Sequence, residues 1–173
     1  MADPTPLMAL LPDIARTWRR PGAVQAEKIA TGREDLALMY LMLACGLIFV
    51  GQWPALQRRA LMADVELQPL LGASLMAWIF VAPVLFYAIA LGVRVAARLL
   101  RRDIGGFAAR MTLFWALMAA MPAWLLFGLT QGMIGRGPSL TAVGAVAFGA
   151  FVLFWLSGLR AAFSAARPST VVR

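Results

Sequence analysis

The sequence contains no histidine and only one cysteine, Cys45, and these scarcities exclude several kinds of chemistry. Without histidine there is no His-ligated haem, no His-containing zinc site and no imidazole acid–base catalysis. A single cysteine forms no internal disulfide, and Cys45 lies in an apolar run, where it acts as a small hydrophobic residue. We therefore predict no metal site and no cofactor.

Charged residues are scarce as well. They make up 14% of the 173 residues, whereas 62% are hydrophobic. Soluble domains average about 25% charged and about 45–50% apolar residues. A soluble domain of this length cannot bury so much apolar surface, but a bilayer covers it with lipid. We therefore predict an all-α, multi-pass integral membrane protein.

Four apolar stretches predict four transmembrane helices, which form a bundle within residues 23–162. A helix needs roughly 20 residues to cross a bilayer. Trp53 and Pro54 mark the far end of the first span, while Pro83 and Pro122 lie inside the second and third and predict kinks there. The mixed polar stretch 23–35 is expected to continue as a helix into the first span. The predicted spans are 36–53, 69–96, 107–134 and 140–159.

Residues 1–22 predict an amphipathic helix that is too short and too charged to span. Its apolar residues recur at helical spacing, and Pro21-Gly22 ends it. We predict an interfacial helix in the headgroup plane. Packing against the cytoplasmic end of the bundle is an equal alternative, because amphipathicity does not distinguish lipid from protein as the apolar partner. Residues 163–173 are expected to be a flexible cytoplasmic tail.

The distribution of Lys and Arg predicts the orientation. With four spans, thirteen positive residues fall on one side and three on the other. Because cytoplasmic loops carry the excess of Lys and Arg, both termini and the second loop are expected in the cytoplasm of a bacterium whose inner membrane holds the chain. The net charge of +8 is explained by this pattern, so we predict no nucleic-acid binding.

Chemistry inside the membrane requires ionisable groups at depth, and the predicted spans carry none in their central parts. No nucleophile–base pair and no Gly-rich phosphate loop is present, so we predict no catalytic residues and no enzyme. Glu34-Asp35, at the start of the first span, has three interpretations. The acids favour a helix N-terminus, they pair with an arginine of the second loop, or they bind a partner protein.

Two further sets of residues are candidates for contact. Small residues four apart let membrane helices approach closely, and we predict helix packing at Ala116, Ala120, Thr141, Ala145 and Gly149. Whether these faces join helices of one chain or of two proteins is open. Basic residues near a membrane surface attract anionic headgroups, and we predict this role for Arg16, Arg19, Arg20, Arg98, Arg101 and Arg102.

The third and fourth spans carry a family resemblance. The segment Gly105-Gly106-Phe-Ala-Ala-Arg-Met-Thr-Leu-Phe-Trp-Ala-Leu-Met-Ala-Ala-Met-Pro-Ala-Trp-Leu-Leu and the closing Phe154-Trp-Leu-Ser-Gly-Leu-Arg resemble bacterial members of the Yip-domain family. The resemblance covers about residues 25–162. It implies a helical membrane bundle with a cytoplasmic N-terminus and no catalytic residues. Two features depart from the family: it commonly has five spans, and the Asp-Leu-Tyr-Gly signature of its GTPase-binding eukaryotic members is absent here.

An apolar interior with small-residue faces and no reactive groups favours a non-enzymatic protein. We expect a membrane-organising scaffold or an accessory subunit of a larger membrane complex. Its partners would be anionic lipids and other membrane proteins or a second copy of the chain. The alternative is a small transporter or channel component, because Pro83 and Pro122 break helices near the midplane, where transport sites are often built.

Overall fold

The structure is a computed structural model that describes residues 10–102 and 104–166. Within these residues the chain forms α-helices joined by short turns, and it contains no strand. The all-α prediction is therefore confirmed. The elements are α1 (Leu10–Arg19), α2 (Pro21–Ala30), α3 (Glu34–Ala63), α4 (Leu67–Met76), a π-helical segment (Ala77–Val81), α5 (Ala82–Leu99), α6 (Gly106–Ala119), α7 (Met121–Met133) and α8 (Pro138–Ala165).

Three continuous helical stretches of the described chain are long and apolar enough to cross a membrane: α3, the stretch α4–π–α5, and α8. The pair α6–α7, whose two helices are bent by 49° relative to each other, makes a fourth if it is counted as one span. Three or four such stretches are compatible with a helical membrane bundle. The predicted segment 1–22 lies partly outside the described residues, as does the tail from residue 167 onward.

The helices do not end where the predicted spans end. Helix α3 continues through Pro54 to Ala63 and ends where Asp64 adopts a left-handed conformation (φ 51°), so the predicted end of the first span at residue 53 lies inside a continuous helix. A membrane helix tolerates proline when neighbouring helices cover the freed backbone groups, and α7 packs against Pro54. Residues 23–35 do not lead helically into the first span, since Gly32 (φ 63°) breaks the chain between α2 and α3. Helix α8 includes the first three residues of the predicted tail.

The two prolines inside the predicted spans disturb their helices in different ways. Pro83 cannot donate to the carbonyl four residues earlier, and its ring collides with that carbonyl. The helix accommodates this with the wider π turn Ala77–Val81 immediately before it. Pro122 stands at the start of α7, one turn beyond the last residues of α6, and the 49° bend lies between the two helices.

Helix α6 is the centre of the fold. From Met111 to Met121 no residue exposes more than 3% of its surface. A helix that is apolar all round is stable only where neighbours enclose it, and α6 is enclosed by α1, α2, α3, α5 and α8. The stretch α4–π–α5 is the opposite case, since only 6% of the residues in its most apolar part are buried inside the protein.

Helices α3 and α7 cross at closest range through glycines. A Cβ atom on Gly128 would lie 2.1 Å from the carbonyl oxygen of Gly51, and one on Gly132 would lie 2.3 Å from Cβ of Pro54. Gly128 and Gly132 form the small-residue spacing that joins membrane helices. The sequence analysis did not single out this pair.

We predict that Gly128→Ala destabilises the protein. The methyl group meets backbone atoms of α3, which cannot rotate away, and overpacking of this kind costs about 1–3 kcal/mol. Thermal and denaturant unfolding in detergent would measure the loss. Gly149→Ala is the matched control, because a Cβ there meets nothing within 4 Å. Equal stability of the two variants would contradict the close crossing.

Candidate functional site

The N-terminal helices α1 and α2 form a hairpin that turns at Arg20 and packs against α6 and α8. Residues at similar distances from the turn meet across it. Arg16 donates to Asp13 at 3.1 Å in its own helix and to Glu27 of α2 at 2.7 Å. The hydrogen bond from Arg16 to Glu27 and the charge of that carboxylate raise the pKa of the guanidinium further, so Arg16 stays charged.

A charged cluster joins the two helices of this hairpin to α3 and α6. Lys28 is the only lysine of the chain. Its Nζ donates to Oδ2 of Asp13 at 2.6 Å and to the hydroxyl of Tyr40 at 3.2 Å, and it lies 4.4 Å from the ring centre of Trp115. The Lys28 and Asp13 side chains are 13% and 14% exposed. A cation with so little water is stabilised by its carboxylate partner and by the negative faces of the rings.

Two indole N–H groups attach the hairpin to α6. Trp115 is fully buried, and its Nε1 donates to Oγ1 of Thr17 at 3.2 Å. Trp18 donates to the carbonyl oxygen of Ala119 at 3.1 Å. That carbonyl is available because Ala123 donates to Ala120 instead of to Ala119. The bend before α7 therefore provides the acceptor for Trp18.

Gln25 joins the hairpin to two further helices. Its side chain is fully buried, and Nε2 donates to the carbonyl oxygens of Thr112 and Phe154, each at 3.3 Å. A Cβ on Gly158 would lie 2.8–2.9 Å from the Gln25 amide, so α8 approaches this side chain through a glycine. A buried polar group that is hydrogen-bonded to two helices fixes their relative position.

The described part of the N-terminal helix packs on the bundle with one face. Leu10 and Ile14 are buried against protein, and so is Thr17. Trp18 packs edge-on against Phe154 with ring centres 5.2 Å apart. The other face of α1 remains exposed, with Leu11 at 76%. Protein therefore covers one face of this helix, and contact of its exposed face with headgroups stays a prediction.

The five predicted packing residues divide into two groups. Ala116 and Ala120 are fully buried inside the bundle. Thr141, Ala145 and Gly149 lie exposed on the outer side of α8, and α8 faces the bundle with a different stripe that includes Ala147, Phe154 and Gly158. Any packing role of the exposed group would therefore involve another molecule.

The six arginines predicted to bind headgroups are exposed. They lie at the turn between α1 and α2 and at the end of α5. Arg16 is engaged with Asp13 and Glu27, and the guanidinium of Arg102 lies 6.0 Å from the ring centre of Phe163. Their exposure leaves headgroup binding as a prediction.

For Glu34-Asp35, the structure shows a pairing with the second loop. Arg110, in the first turns of α6, forms an ion pair with Glu34. Asp35 pairs instead with Arg33 at 2.6 Å, beside it at the start of α3. Both acids also stand in the first turn of α3, where a negative charge is favourable.

Sequence reasoning missed the cluster of Lys28, Asp13 and Tyr40. It treated Pro21-Gly22 as the end of a segment and not as the turn of a hairpin. Reading it as a turn would have placed Asp13 and Lys28 opposite each other. The position of the only lysine was a further signal, because Lys28 lies close to the apolar residues Ala26 and Ile29.

Comparison with protein-family models, with curated proteins and with solved structures gives no match for this chain. The resemblance to the Yip-domain family therefore rests on the sequence pattern alone. Within the described ranges no three His, Cys, Asp or Glu side chains come together in a way that could hold a metal ion.

We predict that Lys28→Met destabilises the protein by up to about 3 kcal/mol, because the nearly buried Asp13 carboxylate loses its closest partner and keeps only the exposed Arg16 at 3.1 Å. The double variant with Asp13→Asn should recover part of this loss. Unfolding free energies of the four proteins of this cycle, measured in detergent, test the coupling. Arg33→Met is the matched control: it breaks the exposed pair with Asp35 and should cost less than about 1 kcal/mol.

Proposed function

We propose that this chain is a non-enzymatic membrane protein that acts through helix packing and lipid contact, as a membrane-organising scaffold or an accessory subunit. The observation that carries the proposal is the unequal burial of its helices. Helix α6 is fully enclosed, whereas α4–π–α5 and the outer side of α8 present apolar and small side chains outward. Lipid covers such faces, and a second membrane protein can replace that lipid.

The outer side of α8 is the surface we assign to a protein partner. Thr141, Ala145 and Gly149 follow one another at intervals of four residues and are all exposed. Around Gly149 there is open space where another helix can approach. Association in a membrane depends on such close backbone contact, because apolar burial alone gives no advantage over lipid.

We further propose that both termini lie in the cytoplasm of a bacterial cell whose inner membrane holds the chain. The excess of Lys and Arg near the N-terminus, in the second loop and near the C-terminus supports this orientation. The same orientation is implied by the resemblance to the Yip-domain family, which we retain as a hypothesis.

A small transporter or channel component is the second candidate. One cavity favours it: a space of about 210 Å³ between α3, the π turn and α7, lined by Trp78, Trp124, Gln52 and Gln131. Nε1 of Trp124 is buried without a partner among the described residues. Trp78 belongs to the π turn that precedes Pro83, and Trp124 follows Pro122 by two residues, so the elements disturbed by both prolines contribute to its lining. A saturable liposome flux that is abolished by Gln131→Ala would favour this candidate over the first.

We predict that Gly149→Leu weakens association with a partner or a second copy by about tenfold, since the larger side chain keeps the helices apart. Native mass spectrometry after mild detergent extraction measures the complex. Gly92→Leu, at an equally open and exposed glycine of α5, is the control and should leave the complex intact. A strictly monomeric wild-type particle without partners would contradict the accessory role.

We also predict the result of reporter fusions. Green fluorescent protein fused after Arg173 should fluoresce, and alkaline phosphatase inserted after Arg136 should be active, because these positions are expected on opposite sides of the membrane. Phosphatase activity at Arg173 would overturn the proposed orientation.

A further inference from the structure

A cavity between α5 and α6 is lined by two arginines. It has a volume of about 310 Å³, and Arg94 and Arg110 line it together with Tyr87, Leu91 and Gly106. Arg94 lies in the last turns of α5 and Arg110 in the first turns of α6. None of the six arginines that the sequence suggested for headgroups lines this space.

The positive charge of this cavity is only partly compensated. Arg110 uses one terminal nitrogen for its ion pair with Glu34. Its Nε is buried and has no hydrogen-bond partner among the described residues, and the same holds for Nε of Arg94. Within the described residues, Glu34 pairs with Arg110 and not with Arg94, so the two guanidinium groups that line the cavity are together met by one carboxylate. Buried N–H donors without an acceptor are costly, so an anion that supplies acceptors would be stabilised here.

The two guanidinium groups converge on the start of α6. A Cβ on Gly106 would lie 3.0 Å from Nη1 of Arg94 and 3.5 Å from Nη1 of Arg110. Gly106 is the first residue of α6, and its N-cap, Gly105, provides no side-chain cap. The N–H groups of the first turn therefore add their partial positive charge to that of the arginines.

We propose that this cavity binds the phosphate group of an anionic phospholipid, with the acyl chains lying along the outer face of α5. Arginine forks suit phosphate oxygens, which accept paired N–H donors. The apolar side of the cavity continues onto exposed side chains of α5: Leu91 is 59% exposed, Val84 70% and Val95 49%. A phospholipid satisfies both parts, whereas a soluble phosphate would leave the apolar face to bulk lipid.

The inference rests on the membrane embedding that the proposed function also requires, but not on the accessory role. It names a single lipid site in place of general attraction to a basic surface. Loss of lipid binding in a variant that still associates with its partner would therefore concern this site alone.

The test measures lipid retention by the purified full-length protein with native mass spectrometry. Phosphatidylglycerol and phosphatidylcholine with identical acyl chains are titrated separately. We expect the wild type to retain one phosphatidylglycerol in preference to phosphatidylcholine. Arg94→Gln should weaken its retention about tenfold or more, as expected for the loss of a charge-assisted hydrogen bond.

Two further variants separate the site from general charge and from folding. Gly106→Ala keeps every charge and suits a helix start, but its methyl group enters the space between the guanidinium groups, so it should also weaken retention. Arg101→Gln removes one exposed arginine outside the cavity and should have a clearly smaller effect than Arg94→Gln. Unfolding temperatures of all variants are measured alongside.

Four outcomes would overturn the proposal. They are equal retention by Arg94→Gln and the wild type, equal losses in Arg94→Gln and Arg101→Gln, and unchanged retention in a folded Gly106→Ala. The fourth is displacement of the lipid by glycerol 3-phosphate at equal concentration, which would assign the cavity to a soluble phosphate. A selective loss in Arg94→Gln and Gly106→Ala, with unchanged unfolding temperatures, would support it.

Discussion

Pro122 has no N–H to give to the helix, and the bend that follows from this determines the arrangement of the whole bundle. On one side of the bend α6 is enclosed by five helices, and on the other α7 turns by 49° to cross α3 at glycine contacts. The bend also leaves the Ala119 carbonyl oxygen to accept the indole N–H of Trp18. A break in one helix thus provides the attachment of a separate hairpin, and in lipid-like surroundings each such backbone group needs a partner.

The helices differ in how closely the rest of the protein packs against them. Contacts through Gly128 and Gly132 fix α7 to α3, and Gln25 ties the hairpin to α6 and α8. The stretch α4–π–α5 has no comparable glycine crossing: a Cβ on Gly72 or Gly92 would meet nothing within 4 Å. Its outer faces are covered by the bilayer, in which van der Waals contact with lipid replaces contact with protein. Among the described helices that are apolar enough to span a membrane, this stretch is the one least enclosed by protein.

Apolar runs and prolines were sufficient to predict the apolar helices and the bend at Pro122, because these follow from composition and from the chemistry of a single residue. The continuation of α3 through Pro54 could not be predicted, since the support for that proline comes from α7, which is distant in sequence. Gly128 and Gly132 were overlooked in favour of more frequent alanine spacings. The pairing of Lys28 with Asp13 depends on a hairpin, and local periodicity does not reveal whether a turn reverses the chain. Contacts between segments that are distant in sequence could therefore not be predicted and are seen only in the three-dimensional structure.

The acidic residues near the start of α3 and in the hairpin are engaged in ion pairs within the chain. Asp13, Glu27, Glu34 and Asp35 each form an ion pair within the chain. These carboxylates are committed to holding the hairpin, α3 and α6 in place, and they are not free to neutralise the remaining guanidinium groups. With a formal net charge of +8, the chain retains a large positive excess. A basic residue near a membrane surface that is rich in anionic lipid gains about 1 kcal/mol from it. The same shortage of acidic residues that leaves this positive excess is therefore the physical basis of the predicted attraction to lipid.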